Sequence, residues 1–178
     1  MMLRPDTRER ASQLRLMGFD VDGVLTNGDL YFTPAGDEIK VFSSLDGHGL
    51  KMLQDCGVEV VIITGRKSGM VERRVENLGI RHLFQGVKDK RAVMAGLCRD
   101  LGIQTREAGY IGDDVVDLPV LLSCGFSATV ADGHDYVKQH VHMVTSRGGG
   151  RGAVREVCDF ILDAQGKLTP MLENYLLP

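Results

Sequence analysis

Phe19-Asp20-Val21-Asp22-Gly23-Val24-Leu25-Thr26 decides the reading of this chain. An apolar run over residues 14–19 ends in two carboxylates with one residue between them, and a glycine follows. At a strand's carboxyl end such a pair can serve one centre in two ways. Asp20 can attack phosphorus as a nucleophile while Asp22 gives and takes the proton. Gly23 has no Cβ to obstruct the exit from the strand. A plain Asp-Gly turn is spelled with the same letters, so the rest of the chain has to decide.

Three more segments have the same build. The β-branched run over residues 58–63 stops at Thr64-Gly65-Arg66, where a hydroxyl, a flexible glycine and a cation suit a phosphoryl group. Lys88-Asp89-Lys90 opens a helical pattern, although the helix dipole disfavours a cation at that end. A solvated surface lysine is the plain alternative. Ala108–Ile111 ends in Gly112-Asp113-Asp114, with Asp117 one helical turn later. Carboxylates so placed suit Mg²⁺, which takes one or two of them together with substrate phosphate and water. Thr64 and a lysine of the Lys88-Asp89-Lys90 segment would bind phosphoryl oxygens and offset the charge that moves in the transition state.

Around these segments strand and helix alternate. Strands are predicted over 14–19, 58–63, His82–Phe84, Ala108–Ile111, Phe126–Thr129 and 141–145. Helices are predicted over 49–54, 68–78, 89–101, 118–123, 135–140 and Ala153–Ala164. This order implies an α/β fold, a Rossmann-like doubly wound parallel sheet with helices on both faces and ligands at the strands' carboxyl ends. Residues 1–12 read as a frayed or helical lead-in. The 178 residues are expected to form one domain, 1–178, with a C-terminal tail over about 166–178. A β-hairpin insertion is expected over about 28–44, where two β-prone runs flank Pro34-Ala35-Gly36-Asp37. Its Tyr31, Phe32, Ile39, Val41 and Phe42 need cover, from the same domain or from other subunits.

Composition narrows the class. No apolar run reaches membrane length and no secretory leader is expected, so neither membrane nor nucleic acid is a predicted partner at a net charge of −3. Cys56, Cys98, Cys124 and Cys158 lack Cys-x-x-Cys spacing and read as free thiols, which suits a reduced cytoplasm.

In this order the motifs resemble the haloacid dehalogenase superfamily: Asp20-x-Asp22, Thr64, Lys90 and Gly112-Asp113-Asp114, over about residues 14–165. More narrowly, the chain resembles the small capless bacterial phosphatases of 3-deoxy-D-manno-octulosonate 8-phosphate (KDO 8-phosphate), which serve lipopolysaccharide precursor synthesis. Gly23 to Gly28, Asp46-Gly47-His48-Gly49, Thr64-Gly65-Arg66-Lys67 and Gly149-Gly150-Arg151-Gly152 carry that closer likeness. The resemblance implies a haloacid-dehalogenase-like fold without a large cap, an aspartyl-phosphate intermediate and a homotetramer built through the hairpin. It implies Mg²⁺ on the Asp20 and Asp113 carboxylates and the Asp22 backbone carbonyl, with Asp114 and Asp117 in support. Lys90 matches the family's Asp-Lys pair better than Lys88 does.

Gly65 and Arg66 would meet a sugar-acid phosphate, Arg66 pairing with its carboxylate. An Asp46-Gly47-His48 loop at a helix start, and Arg151 from the glycine-rich motif, would face the same ligand; the motif could also form an anion nest. Asp46 could equally be an ordinary N-cap. The chain departs from the family pattern at Leu45, where a basic residue is common, and at His48. Alternatives are a phosphatase for a nine-carbon sialic-acid-type 9-phosphate, one for broad small phosphomonoesters, and a non-catalytic binding module.

Overall fold

A computed structural model describes residues 1–176, so the last two residues of the expected tail lie outside the described residues. In chain order the elements are β1 (Met2–Leu3), α1 (Thr7–Ser12), β2 (Leu16–Phe19), β3 (Tyr31–Phe32), β4 (Glu38–Ile39), α2 (Ser44–Asp55), β5 (Glu59–Ile63) and α3 (Gly69–Leu78). They continue as β6 (His82–Phe84), α4 (Lys90–Asp100), β7 (Ala108–Ile111), α5 (Leu118–Leu121), β8 (Phe126–Thr129), α6 (Asp135–Lys138), β9 (Met143–Val144), α7 (Ala153–Ala164) and α8 (Leu168–Glu173).

A seven-stranded sheet runs in the order β1-β9-β8-β7-β2-β5-β6. Period-2 alternation sorts its side chains between two cores. Met17, Phe19, Val60, Ile62, Ile111 and Phe126 pack with α1, α2, α3 and α7 on one face. Leu16, Val61, Ile63, Ala108 and Tyr110 pack with α4, α5 and α6 on the other. With both faces covered, the central strands are continuously apolar, as buried parallel strands are. Each fully buried Leu, Ile or Phe contributes roughly 1.5–3 kcal/mol relative to exposure.

Three expectations need correction. The sheet is not wholly parallel: β1, in the segment read as a lead-in, pairs antiparallel with β9 through Met2↔Val144 and Leu3↔Met143. It covers an edge strand that would otherwise leave backbone groups unpaired, and two residues are too few to show a period. Second, α2 begins at Ser44, well before position 49. Gly47 and Gly49 lower helix propensity, but a Cβ on Gly49 would sit 3.2 Å from Arg155 Cα and from Cys158 Cβ, so close approach to α7 favours glycine there. Third, several ends are shorter than predicted, including Leu118–Leu121 and Met143–Val144. The remaining ends follow local chemistry. Ser68 caps α3 by accepting from Met70 N–H at 3.3 Å, and Gly79 closes it at φ 66°.

Candidate active site

Register builds the site. Phe19 lies opposite Ile62 on one side and Ile111 on the other, so Asp20, Thr64 and Asp113 emerge on one rim of the sheet. The reversal of strand order falls there, β5 lying on one side of β2 and β7 on the other. A cavity of about 390 Å³ opens at this point, lined by Asp20, Asp22, Thr64, Gly65, Arg66, Lys90, Asp113 and Asp114. Lys88 lines it too, but its side chain is solvent-facing, whereas Lys90 is buried.

Lys90 is the first residue of α4, after the N-cap Asp89, and its ammonium lies 2.8 Å from Asp20 Oδ2 and 2.7 Å from Asp117 Oδ1. Burial pulls its pKa down, but the two carboxylates outweigh this and hold it above the usual lysine value. That pairing explains a cation at a helix start. Asp20 also accepts the Val21 N–H through Oδ1 at 2.7 Å. Burial and the charge of Asp117 raise Asp20 to about 6, against the opposing pull of Lys90. Burial, Asp20 and Asp117 raise Asp113 to about 7.

Oxygens of Asp20, Asp113 and Asp117 lie within 4.8 Å of one another. Three carboxylates against one ammonium leave an excess of negative charge that a divalent cation would offset. The donor set therefore fits a hard cation. Asp117 has little left to give it. Its Oδ1 meets Lys90, and its Oδ2 accepts the N–H groups of Asp113 at 3.1 Å and Asp114 at 3.4 Å. It orients the loop; Asp20 and Asp113 are the better ligands. Asp114 is exposed and caps the turn over Val115–Asp117 by accepting from Val115 N–H at 2.7 Å. Gly23 has φ +82°, and a Cβ there would fall 2.2 Å from Asp113 Oδ2, so this position needs glycine on both counts.

The structure does not bring every predicted residue to the cavity. Asp46, Gly47 and His48 lie in the first turns of α2 instead of in a loop, and none of them lines the cavity. The Asp46 carboxylate is 1% exposed and accepts from Gly152 N–H at 3.2 Å and Arg155 N–H at 2.8 Å. It caps α7 across space, while Ser43 caps α2. His48 Nε2 meets the Tyr175 hydroxyl at 3.1 Å. Arg151 is exposed and also lies outside the cavity lining. Its glycine-rich segment is packed on the loop that carries Asp22 and forms no open anion nest. Gly150 N–H donates to Val24 O at 2.9 Å, and a Cβ on Gly149 would meet Gly23 O at 1.9 Å.

Two residues of the site were missed. Glu38 and Lys40 come from the hairpin, with Lys40 Nζ on Asp22 Oδ1 and 3.3 Å from Glu38 Oε1. Arg66 joins them, Nη2 at 2.9 Å from Glu38 Oε1 and Nε at 3.9 Å from Asp22 Oδ2. Burial pushes the Glu38 carboxyl up, but Lys40 and Arg66 hold it below the usual glutamate value. A signal existed: Glu38-Ile39-Lys40 alternates, so both charges leave the strand on the face opposite Ile39.

Comparison with known proteins agrees with this geometry. The family model for haloacid dehalogenase-like hydrolases matches residues 83–154. The 3-deoxy-D-manno-octulosonate 8-phosphate phosphatase of Yersinia pestis is 45% identical over 163 residues, covering 92% of this chain and 87% of that protein. Its crystal structure superposes with a TM-score of 0.91 at 45% identity, covering 93% of this chain and 89% of that one. The enzyme of the same name from Moraxella catarrhalis, solved in complex with magnesium, phosphate and KDO, gives a TM-score of 0.94 at 38% identity. It covers 97% of this chain and 99% of that one.

Proposed function

The chain belongs to the 3-deoxy-D-manno-octulosonate 8-phosphate phosphatases of the haloacid dehalogenase-like hydrolases, and from that premise we propose how its residues hydrolyse KDO 8-phosphate. The observation that carries the reading is the Asp20–Lys90–Asp117 arrangement beside Asp113 at the rim of the sheet. It sets a nucleophile, a phosphoryl-binding cation and a place for a divalent metal at one point.

Asp20 attacks phosphorus in line. The bond from phosphorus to the sugar oxygen breaks, its electron pair stays on that oxygen, and Asp22 supplies the proton. Asp22 then takes a proton from the water that opens the aspartyl-phosphate, which restores Asp20 as the carboxylate and Asp22 as the acid. Lys90 and the Thr64 hydroxyl hold phosphoryl oxygens. Asp20, Asp113 and the Asp22 carbonyl would hold Mg²⁺. Such an ion neutralises phosphoryl charge, and it holds Asp20 and Asp113 ionised against the burial that raises both. Arg66, half exposed at the mouth, is the group for the substrate carboxylate. The whole chain serves this one site as a single domain.

Assembly follows from the hairpin. Tyr31, Phe32 and Ile39, on two short strands, and Val41, just beyond them, are 43%, 60%, 48% and 62% exposed. So much apolar surface on so small an element calls for a partner, and packing of hairpins in a homotetramer supplies one. Among the described residues no helix is long and apolar enough to cross a membrane, and the free cysteines suit a cytoplasmic enzyme.

Phosphate release with and without Mg²⁺ tests the reading, on KDO 8-phosphate, a nine-carbon sugar-acid 9-phosphate and p-nitrophenyl phosphate. Strong Mg²⁺-dependent preference for the first is expected, and Asp20→Asn should abolish it with the fold intact. Comparable slow release from all three would withdraw the substrate, and activity surviving in Asp20→Asn would remove the nucleophile.

A further inference from the structure

Lys40 has no role in the mechanism above, yet its placement is costly. Its side chain is only 3% exposed, on a hairpin where Ile39 and Val41 are 48% and 62% exposed. Removing an ammonium from water costs several kcal/mol unless its donors are met. Here they meet Asp22 Oδ1 and Glu38 Oε1, and Glu38 is held in turn by Arg66. Two carboxylates and two cations interlock, and their formal charges cancel. No other side chain or backbone group among the described residues hydrogen-bonds to the Asp22 carboxylate; Arg66 Nε stands off at 3.9 Å from its second oxygen. Asp22 also sits beyond the end of β2, in a turn.

We propose that Lys40 is a positioning residue for Asp22: it pins one carboxylate oxygen and leaves the other, on a cavity-lining side chain, to carry the proton. Without it the acid–base group would sample rotamers, and proton transfer loses rate when its partners leave hydrogen-bond reach. Glu38 completes the device by balancing the ammonium and bringing Arg66 to the same point. The inference rests on the phosphatase reading, because it needs Asp22 as acid and base.

Leaving-group dependence separates this role from a structural one. A sugar alkoxide needs the proton from Asp22 when it departs, whereas p-nitrophenolate leaves without it. The parameter to compare is kcat/KM, which reports only the steps through formation of the aspartyl-phosphate. It is measured for KDO 8-phosphate and p-nitrophenyl phosphate in the full-length Mg²⁺-loaded enzyme, in Lys40→Met, Asp22→Asn and the double variant. Lys40→Met should lose about 10²-fold on the sugar phosphate and no more than about threefold on the aryl ester, the range set by acid–base catalysis. Lys40→Arg should recover most of the loss. In the Asp22→Asn background Lys40→Met should cost nothing further, because both act through one group. Should Lys40→Met fail to fold, Lys40→Gln takes its place in the same cycle. Equal losses on both esters, or additive losses in the cycle, would overturn the proposal while leaving the phosphatase intact. If Asp22→Asn itself fails to discriminate between the esters, the acid–base assignment falls instead, and the role of Lys40 with it.

Discussion

Two lysines with buried side chains divide this site between two regions of the molecule. Lys90 bridges Asp20 and Asp117; Lys40 bridges Asp22 and Glu38. Each carboxylate of the Asp-x-Asp pair therefore has its own ammonium and its own counter-carboxylate. The supports differ. Lys90 stands on α4, whose Met94, Leu97 and Cys98 are embedded in a core, and Asp117 is fully buried. Lys40 follows a two-residue strand that pairs, among the described residues, with one other short strand, and the hairpin's other side is open. On the proposed mechanism, phosphoryl transfer is built on the sheet, while proton transfer hangs on an insertion. One half of the chemistry is fixed by folding, and the other depends on where the hairpin sits.

Lys90→Met gives the largest expected effect. It removes the phosphoryl cation and leaves Asp20 and Asp117 facing each other without a counter-charge. Breaking a buried pair in this way costs about 3–5 kcal/mol, and losing an electrostatic clamp costs roughly 10²–10³ in turnover. The loss should be equal for sugar and aryl phosphates, since both need the same phosphoryl contacts. That equality is the contrast with Lys40, and kcat/KM on the two esters checks it. If Lys90→Met spared the aryl ester, the division of labour between the lysines would be wrong.

The same comparison shows what the sequence could reveal. β7, β8 and α7 match their predicted bounds, because their apolar runs end at clear breaks such as Gly112 and Gly152. Asp20, Thr64, Lys90 and Asp113 were legible because each follows a strand or opens a helix, a local signal. Lys40 was not, since its meaning lies in a contact with Asp22, 18 residues away. The hairpin was read from its apolar side alone, while its polar side enters the site. Asp46 misled for a related reason. It was expected in a substrate-facing loop, but its partners are backbone groups more than a hundred residues on, at the start of α7. Propensity could not find α2's first turns, where packing against α7 selects glycine over better helix formers.

An intermediate effect is expected from the hairpin's outer face. Phe32→Ser removes an apolar side chain that is 60% exposed in the single chain, where a surface change alone shifts stability by no more than about 0.5 kcal/mol. If a neighbouring hairpin covers Phe32, assembly should weaken by at least about tenfold, the equivalent of 1.4 kcal/mol, as sedimentation velocity across a dilution series would show. Activity lost on dilution should then be lost on the sugar phosphate first and on the aryl ester later, because the hairpin supports Asp22 through Lys40 and Arg66 through Glu38 and carries none of the proposed phosphoryl contacts. Unchanged assembly would leave the hairpin supported by its own chain.

The smallest effect concerns the half of the site that folding fixes, and it has a defined sign. Asp113 rises from 3.8 to about 7, and Asp20 to about 6, so without metal the folded chain holds protons in this range that the unfolded chain has released. Unfolding then releases protons from these two groups, and their contribution to stability falls as pH rises from about 4 through 7, opposed by His142, which burial holds below the usual histidine value by a smaller shift. The carboxylates held low, among them Glu38, lose their contribution only below about 4.5, outside this window. A chain of this size changes its Tm by about 2–4 °C per kcal/mol, so the metal-free protein should melt at least a few degrees lower at pH 8 than at pH 5. Added Mg²⁺ should reverse this, with a larger rise in Tm at pH 8, because at pH 5 protons compete for the same oxygens. Thermal melts at the two pH values, with Mg²⁺ and with EDTA, give all four numbers. Asp113→Asn should flatten both the pH dependence and the Mg²⁺ response, whereas Lys40→Met should leave both as they are. A Mg²⁺ response that followed Lys40 instead of Asp113 would mean that the hairpin helps to build the metal centre, and the two halves of the site would not be separable.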